Sequence, residues 1–218
     1  MLKTMVIGDV HGCHKELIKL MKVLKTKANY NPQEDKLIFL GDYIDRGDNP
    51  RLVVRYIRKL QKNNPNVIAL MGNHEDMMIQ YYNGDEYSPW FYNGYEKTIA
   101  SYRGHLKEFN SDLEWMEKLP LYYEDENFIY VHAGVNSKKP MEDQNIDTLL
   151  WVRDSFIYDT NPYYKRVIFG HTPDLSSPYY TCSKNICIDT GCVFGGSLTA
   201  LVIENGIEKE YYSIASIN

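Results

Sequence analysis

Five short apolar runs of the chain each end in a polar cluster in which aspartate, asparagine or histidine stands beside glycine. The clusters read GDVHG at residues 8–12, GDYIDRG at 41–47, GNHE at 72–75, HAG at 132–134 and GHT at 170–172. Open α/β sheets place their ligand sites at the carboxyl ends of strands, and flanking glycines allow the sharp turns that such sites need. We therefore expect a sheet at whose edge these side chains meet.

Apolar runs alternate with helical patterns through the first third of the chain. The runs at 4–7, 37–40 and 67–70 are typical of buried strands, and apolar residues at helical spacing follow the first two. This order predicts a mainly parallel sheet with helices packed against it. Further strands are predicted at 128–131, 167–169, 186–188, 198–203 and 207–212, with a hairpin turn at Asn205-Gly206. The patterns predict one α/β domain over residues 1–218, with two packed sheets and helices outside.

A polar and aromatic segment at about residues 80–119 interrupts this pattern. Its aromatic residues include Tyr81, Tyr82, Tyr87, Trp90, Phe91, Tyr92, Tyr95 and Tyr102. Two interpretations stay open. The segment is either an insert that shapes a groove, or a satellite core beneath a long connection.

The composition excludes several classes of protein. With 218 residues, 44% of them hydrophobic, the chain can bury one core without disulfides. It lacks the run of about 18 apolar residues that a membrane span needs, and a signal-peptide pattern is also absent. We therefore expect a cytoplasmic protein with no membrane partner. The net charge of -5 and the absence of a basic block argue against a general nucleic-acid binder.

The four cysteines, Cys13, Cys182, Cys187 and Cys192, do not follow the spacing of a zinc site. They form no CxxC pair, and no histidine lies among the last three. We expect reduced thiols that pack in the interior.

The side chains of the five clusters are a ligand set for metal ions. One cluster alone would be read as a turn or a helix cap, but so many carboxylates and imidazoles would repel or stay unpaired without cations. Carboxylate, imidazole and amide ligands without thiolate suit Mn²⁺, Fe or Zn²⁺. The number of ligands favours two ions about 3.5–4 Å apart, which would hold a bridging hydroxide and bind phosphate oxygens. The residues therefore predict hydrolysis of phosphate esters.

In order and type, the five motifs resemble those of the phosphoprotein phosphatase branch of the calcineurin-like metallophosphoesterases. The resemblance spans residues 9–172 and implies a four-layer α/β/β/α sandwich of two mixed sheets with flanking helices. The chain is more similar to the bacterial and phage-type serine/threonine phosphatases than to the eukaryotic ones, because Met71 stands where an arginine usually precedes GNHE. No regulatory subunit is implied.

The resemblance also assigns roles by motif position. The metal ligands that it implies are Asp9 and His11 for one ion, Asp42 as the bridge, and Asn73, His132 and His171 for the other. It implies His74 as the general acid with Asp45 as its orienting carboxylate, and Arg46 and Arg153 as phosphate-binding residues. We expect Asp45 to keep His74 protonated near neutral pH, because a carboxylate favours the imidazolium form. The segment Asp189-Thr190-Gly191 resembles a strand-end motif of the family and is expected to be structural and close to the site.

These observations predict a phosphomonoester hydrolase that depends on two divalent ions, with Mn²⁺ preferred and Fe or Zn²⁺ as alternatives. The expected substrate is a phosphoserine or phosphothreonine in a protein or peptide, attacked directly by the bridging hydroxide. The first alternative is a diadenosine tetraphosphate hydrolase of the same fold, in which aromatic residues stack on adenine. The Asp45-Arg46 pair favours the protein phosphatase, since symmetrically cleaving tetraphosphatases usually lack it, although asymmetric bacterial relatives can retain it. The second alternative is a non-catalytic metal-binding scaffold.

Overall fold

The strands of the chain form two mixed sheets. The computed structural model describes residues 2–217. Its strands are β1 (Lys3–Ile7), β2 (Lys36–Phe39), β3 (Val67–Ala69), β4 (Tyr122–Glu124), β5 (Phe128–Val131), β6 (Arg166–Phe169), β7 (Tyr179–Tyr180), β8 (Ile186–Cys187), β9 (Ser197–Glu204) and β10 (Ile207–Ala215). The first sheet has the order β10-β9-β1-β2-β3 and the second the order β4-β5-β6-β8-β7.

The parallel strands of each sheet lie where the sequence predicts them. In the first sheet β1, β2 and β3 are parallel, and β9 pairs antiparallel with β1. In the second sheet β5, β6 and β8 are parallel, with β4 and β7 antiparallel at the two edges. The carboxyl ends of β1, β2 and β3 in the first sheet and of β5 and β6 in the second therefore carry the loops with the five polar clusters.

Helices connect the strands and cover the sheets. They are α1 (His14–Thr26), α2 (Pro50–Asn63), α3 (Asn73–Tyr82), α4 (Tyr95–Ser101), α5 (Leu106–Met116), α6 (Ile146–Trp151) and α7 (Asp154–Ile157). Helix α1 presents Leu17, Leu20 and Leu24 to the core at helical spacing, and all three are fully buried. Helices α1 and α2 are the crossovers that allow β1, β2 and β3 to run parallel.

Successive side chains of a strand point to opposite faces of its sheet, and this arrangement separates the molecule into layers. Met5 and Ile7 of β1 pack in the core that includes α1, whereas Val6 between them packs in a second core with Tyr130 and Ile168 of the other sheet. The far face of the second sheet packs against α6 and α7 in a third core. These three cores separate helix, sheet, sheet and helix, so the predicted four-layer α/β/β/α sandwich is confirmed.

Two short edge strands were not predicted, whereas the hairpin was. Strands β4 and β7 have three and two residues, and their half-buried or exposed side chains give no alternating pattern. The turn between β9 and β10 has Asn205 at φ 52° and Gly206 at φ 73°, the left-handed pair that a tight hairpin needs. The Asn-Gly signal therefore marks the turn correctly.

The segment at residues 80–119 is mostly helical and packs on the first sheet. Trp90 is fully buried, and its ring centroid lies 5.7 Å from that of Tyr81 and 5.6 Å from that of Tyr95. Tyr87 and Tyr92 point outward, with 95% and 91% of their surface exposed. Most aromatic rings of the segment therefore pack against one another and extend the core.

Two further expectations concern the membrane and the thiols. In residues 2–217, none of the helices combines the length and the apolar character that crossing a membrane requires. All four cysteines are free thiols, with Cys182 exposed and the other three buried. The interior packing predicted for the cysteines therefore holds for three of them.

Candidate active site

The strand-end loops of both sheets converge on one pocket of about 260 Å³. Eight of the ten predicted site residues line it: Asp9, His11, Asp42, Arg46, Asn73, His74, Arg153 and His171. The other two, Asp45 and His132, are fully buried and lie directly behind the lining residues. A hydrogen bond joins Asp45 to His74, and Nε2 of His132 lies 2.9 Å from Oδ1 of Asn73. The structure therefore brings together the residues selected from the five strand-end clusters and Arg153, which lies between α6 and α7.

The loops hold the site residues in a backbone conformation that non-glycine residues rarely adopt. The φ angles are 40° for His11, 53° for Asp42, 66° for Asp45, 63° for Arg46 and 65° for His171. Each such residue costs about 1–3 kcal/mol, and strain of this kind concentrates at functional sites. The sharp turns aim these side chains into a common space.

Two glycines allow the loops to approach the aspartates closely. A Cβ atom at Gly72 would lie 2.2 Å from Oδ1 of Asp42, and one at Gly170 would lie 2.1 Å from Oδ1 of Asp9. No larger residue fits at either position without moving the carboxylate. The glycines beside the polar clusters are therefore a packing requirement of the site.

Backbone carbonyls fix the orientation of two imidazole rings. Nδ1 of His11 lies 2.9 Å from the carbonyl oxygen of Ile44, and Nδ1 of His132 lies 2.9 Å from that of Leu40. A carbonyl oxygen only accepts, so in both rings Nδ1 carries the proton and donates it. In a neutral ring Nε2 then presents its lone pair to the pocket, which is the arrangement found in metal-ligating histidines.

Acceptor atoms meet around Asp42 in two groups. In the first group Nε2 of His11 lies 3.2 Å from Oδ2 of Asp42. In the second group Nε2 of His132 lies 3.5 Å from Oδ1 of Asp42 and 2.9 Å from Oδ1 of Asn73. The ligand atoms of His11, Asp42 and His74, and those of Asp42, His132 and His171, lie within 4.8 Å of one another. Lone pairs that converge in this way repel unless a cation lies among them.

Buried polar atoms without a hydrogen-bond partner lie in the same pocket. Within residues 2–217, the buried side-chain oxygens and nitrogens that lack a hydrogen-bond partner are Oδ1 of Asp9, Nε2 of His74 and Nε2 of His171. All three belong to pocket-lining residues. Buried polar atoms without partners are rare in folded proteins and require an explanation such as a bound ion. The donor set and its orphan atoms therefore fit divalent cations.

A buried dyad lies against this group. Nδ1 of His74 lies 2.6 Å from Oδ2 of Asp45. Asp45 also accepts hydrogen bonds from Nε1 of Trp90, at 2.9 Å, and from Oγ1 of Thr98, at 2.5 Å. Because three donors hold the carboxylate, the ring of His74 has a fixed direction. Trp90 and Thr98 are positioning residues whose contact with Asp45 sequence reasoning missed, since they lie far along the chain.

Two arginines provide positive charge at the pocket. Nη1 of Arg46 lies 2.7 Å from Nε2 of His11 and donates to its lone pair. Nη1 of Arg153 lies 3.3 Å from Oγ1 of Thr172 and the side chain is exposed. Guanidinium groups bind phosphate with two parallel donors. A phosphate between the two arginines would face the acceptor groups around Asp42.

A comparison with protein families decides the classification. A family profile described as calcineurin-like phosphoesterase matches residues 2–202. The chain belongs to the calcineurin-like phosphoesterases. Divalent metal ions are the cofactors that this family and the donor set imply.

One relative covers nearly the whole of this phosphoesterase. It is the bis(5'-nucleosyl)-tetraphosphatase PrpE, labelled asymmetrical, of Oceanobacillus iheyensis. The two are 30% identical over 240 aligned positions, which cover 99% of this chain and 93% of the relative.

Solved structures share the fold of this phosphoesterase at lower identity. A candidate diadenosine tetraphosphatase superposes with a TM-score of 0.73 and 20% identity, covering 99% of this chain and 94% of the other. A cold-active protein-tyrosine phosphatase of a psychrophilic Shewanella species superposes with a TM-score of 0.68 and 18% identity, covering 97% and 81%.

The charges of the aspartates in this phosphoesterase are set by burial and by their neighbours. Burial opposes ionisation of Asp42, but His132, His74 and His11 outweigh it and hold the pKa of Asp42 well below its ordinary value. Burial, followed by the charges of Asp189 and Asp42, raises the pKa of Asp9 well above its ordinary value. A cation beside Asp9 would supply the positive charge that this buried carboxyl lacks.

Burial also favours the neutral form of His132 and His171. It lowers the pKa of His171 to about 2, with the neighbouring His132 as the next cause. Burial is also the main cause that lowers the pKa of His132. Neutral imidazole is the form that binds metal ions.

The expectation that Asp45 keeps His74 protonated near neutral pH is wrong for the free site. Burial lowers the pKa of His74 below its ordinary value, and the charges of His11 and Arg46 act in the same direction. Asp42 and the hydrogen bond with Asp45 raise the pKa of His74 but do not outweigh burial. The burial of His74, which has 0% of its surface exposed, could not be read from the sequence.

Glu75, the last residue of the GNHE motif, was not assigned a role from the sequence. Its carboxylate accepts hydrogen bonds from the backbone N–H groups of Asp42, Tyr43 and Gly72, at 2.8, 2.8 and 3.0 Å. A fourth comes from the N–H of Ile44 at 3.3 Å. Glu75 therefore fastens the loop that carries Asp42 to the first turn of α3, which carries Asn73 and His74.

We expect Glu75→Ala to lower the free energy of unfolding of the metal-free protein by about 3 kcal/mol, because each buried donor left without a partner costs about 1–3 kcal/mol. Urea unfolding measures the change. As the control, Ala at the exposed Glu114 of α5 is expected to change it by less than about 0.5 kcal/mol. A loss below about 1 kcal/mol for Glu75→Ala would show that water replaces the carboxylate.

Asp189 also lines the pocket, in agreement with the expected position of its motif close to the site. The side chain accepts a hydrogen bond from the N–H of Gly191 at 2.9 Å, and burial raises its pKa above the ordinary value. Its position after β8 follows the same strand-end rule as the other clusters. The sequence therefore contained the signal for Asp189, in a cluster that lacks histidine.

Proposed function

We propose that this phosphoesterase hydrolyses dinucleoside tetraphosphates such as diadenosine tetraphosphate, and that it cleaves them asymmetrically. The observation that carries this choice is the relative named as an asymmetrical bis(5'-nucleosyl)-tetraphosphatase, which is 30% identical over 99% of the chain. The sequence alone placed this activity second, behind a protein serine/threonine phosphatase. The comparisons with known proteins support the tetraphosphatase better than the protein phosphatase.

The residues around Asp42 would hold two divalent cations. We propose Asp9 and His11 as ligands of one ion, Asp42 as the shared ligand, and Asn73, His132 and His171 as ligands of the other. Mn²⁺, Fe and Zn²⁺ all suit these donors. Bound there, the ions would polarise phosphate oxygens and lower the pKa of a coordinated water.

The side chains of the pocket would orient the substrate. Arg46 and Arg153 would bind the phosphate oxygens through the paired donors of their guanidinium groups. The ring of His74 is held by Asp45 and directs Nε2 into the pocket. The negative charge of a bound polyphosphate raises the pKa of His74, so the ring would gain its proton when the substrate arrives.

The position of attack on the four-phosphate chain defines the products. Attack at a phosphorus next to a nucleoside gives a nucleoside monophosphate and a nucleoside triphosphate. Attack at either inner phosphorus, with cleavage of the central bridge, gives two nucleoside diphosphates. The Asp45-Arg46 pair of this chain agrees with the asymmetric products, because symmetrically cleaving tetraphosphatases usually lack it.

A phosphoserine or phosphothreonine phosphatase is the second candidate. The motif resemblance over residues 9–172 favours it, since the same motifs occur in that branch. The protein-tyrosine phosphatase noted above shares the fold at 18% identity, which carries no statement about substrate. A non-catalytic scaffold is disfavoured, because every proposed ligand, His74 and Arg46 are present.

Initial rates with the Mn²⁺-loaded protein test the proposal. We expect diadenosine tetraphosphate to be cleaved with a higher kcat/KM than phosphoserine, phosphothreonine and phosphotyrosine peptides, with AMP and ATP as the products in chromatography. Faster release of phosphate from peptides would return the protein phosphatase to first place. Two molecules of ADP would overturn the asymmetric cleavage, and no turnover of any of these would favour the scaffold.

A further inference from the structure

Phe194 is an exposed aromatic residue in the wall of the phosphate pocket. Of the seven phenylalanines in the chain, only Phe194 has more than half of its side chain exposed, at 52%. The guanidinium carbon of Arg46 lies 5.3 Å from the centroid of its ring. The guanidinium therefore lies over the ring, and half of the surface of Phe194 is still open beside it. This placement suggests a ligand that is flat and aromatic next to a phosphate.

The loop that presents the ring is rigid. The carbonyl oxygen of Gly191 accepts hydrogen bonds from the N–H groups of Phe194, at 2.9 Å, and of Gly196, at 3.0 Å. Gly191 and Gly195, on either side of the short 3₁₀ turn Cys192–Phe194, have φ angles of 63° and 88°. Because hydrogen bonds already order the backbone of this loop, a ligand that stacks on Phe194 loses little affinity to ordering of the loop.

The other aromatic residues of the chain are poorly placed for the same task. Trp151 and Phe194 are the aromatic residues that line the pocket, and the ring of Trp151 packs edge-on against His171, with centroids 6.0 Å apart. The aromatic segment at 80–119 contributes only Asn93 to the lining. Phe194 is therefore the pocket-lining aromatic residue best placed for the adenine contact that the sequence suggested for aromatic residues in general.

We propose that Phe194 stacks on the nucleobase of the nucleoside nearest to the phosphate that Arg46 binds. The proposal rests on the proposed function, and names the residue that would distinguish a nucleotide from a phosphate chain without a base. Stacking on an aromatic side chain tolerates any base, since every base has a π-face. Phe194 would therefore select for a nucleoside without selecting among adenine, guanine and pyrimidines as strictly as hydrogen bonds would.

Steady-state kinetics with Phe194→Ala and Phe194→Trp test the stacking. We expect Phe194→Ala to raise the KM for diadenosine tetraphosphate by roughly 10-fold, which lies in the range found for removal of one stacked base. Phe194→Trp retains a π-face and is expected to keep the KM within about 3-fold. Inorganic tetraphosphate carries the phosphates without a base, so its inhibition constant is expected to stay the same in both variants.

The control variant is Tyr92→Ala, which removes an aromatic ring that is 91% exposed and lies outside the pocket lining. Its KM is expected to equal that of the wild type. An unchanged KM in Phe194→Ala would overturn the proposal. An equal loss for inorganic tetraphosphate would also overturn it, because Phe194 would then act only by positioning Arg46.

A binding experiment separates failure of this inference from failure of the proposed function. Calorimetry compares AMP with ribose 5-phosphate, which lacks the base. If the wild type does not cleave diadenosine tetraphosphate but prefers AMP, and Phe194→Ala loses that preference, the stacking stands and the proposed function fails. If wild type and Phe194→Ala bind the two compounds with the same ratio, the stacking is wrong whatever the enzyme hydrolyses.

Discussion

Replacing Asp42 by asparagine is expected to weaken divalent cation binding at both ligand groups and to lower hydrolysis by at least roughly 10³-fold. Asp42 is the one residue common to the two groups of ligand atoms around it. Loss of an outer-shell partner already costs about 10–100-fold in metal affinity, and loss of a shared ligand should cost more. A bound cation stabilises the transition state by several kcal/mol, and each ~1.4 kcal/mol is about tenfold in rate.

The asparagine variant is expected to remain folded. Oδ1 of Asp42 accepts a hydrogen bond from the N–H of His74 at 3.0 Å, and an asparagine oxygen can accept the same bond. The amide has nearly the same shape as the carboxylate, so its nitrogen can take the place of Oδ2, which lies 3.2 Å from Nε2 of His11. Circular dichroism and urea unfolding of the metal-free protein are expected to give curves close to those of the wild type.

Metal analysis after dialysis measures the effect directly, and Asp35→Asn is the matched control. Asp35 is buried, with 2% of its surface exposed, and accepts hydrogen bonds from the backbone N–H groups of Lys3 and Asn31. It lies outside the pocket lining. We expect Asp35→Asn to retain two metal ions per chain. If Asp42→Asn also retained two ions with wild-type affinity, Asp42 would not be the shared ligand.

The sequence predicted the positions of the parallel strands because their signal is local. Each of β1, β2 and β3 is an apolar run followed by glycine and a polar cluster, and each is buried as that pattern requires. Strands β4 and β7 escaped prediction because two or three half-exposed residues at a sheet edge have no characteristic pattern. Edge strands of this kind form because a neighbour offers hydrogen bonds, which a single sequence does not reveal.

Some features of the site could likewise be predicted from the sequence, and others could not. Strand-end residues such as Asp9 and His171 could be found because the topology places all carboxyl ends of parallel strands at one edge. The partners of Asp45 could not, because Trp90 and Thr98 lie 45 and 53 residues away along the chain. The pKa of His74 was predicted in the wrong direction for a related reason, since complete burial outweighs the one carboxylate visible in the sequence.

Replacing His74 by asparagine is expected to have effects that depend on the leaving group. An alkoxide that leaves from phosphoserine needs a proton, so loss of a general acid should lower kcat by roughly 10²–10⁴-fold. A nucleotide that leaves from a tetraphosphate departs as a stable phosphate anion and needs the proton much less. We therefore expect His74→Asn to lower kcat for phosphoserine peptides far more than kcat for diadenosine tetraphosphate.

The metal content of His74→Asn distinguishes a general-acid role of His74 from a role as a metal ligand. The ligand atom of His74 also lies within 4.8 Å of those of His11 and Asp42, so the geometry alone permits coordination. If His74 acts on the leaving group, His74→Asn retains two ions, whereas a ligand role would lower the metal content. The exposed His105 provides the control, because His105→Asn should change neither metal content nor either rate.

If His74→Asn retained both metal ions and lost kcat equally for the peptide and for diadenosine tetraphosphate, His74 would contribute charge or position and not a proton. That outcome is physically distinct, because stabilisation of the phosphate charge in the transition state does not depend on which group leaves. The wild-type pH dependence then adds a second test. The neutral imidazole favoured by burial in the free site must gain its proton as the substrate binds, so kcat/KM for phosphoserine peptides should fall with rising pH above the lowered pKa of His74. In His74→Asn this limb of the profile should disappear.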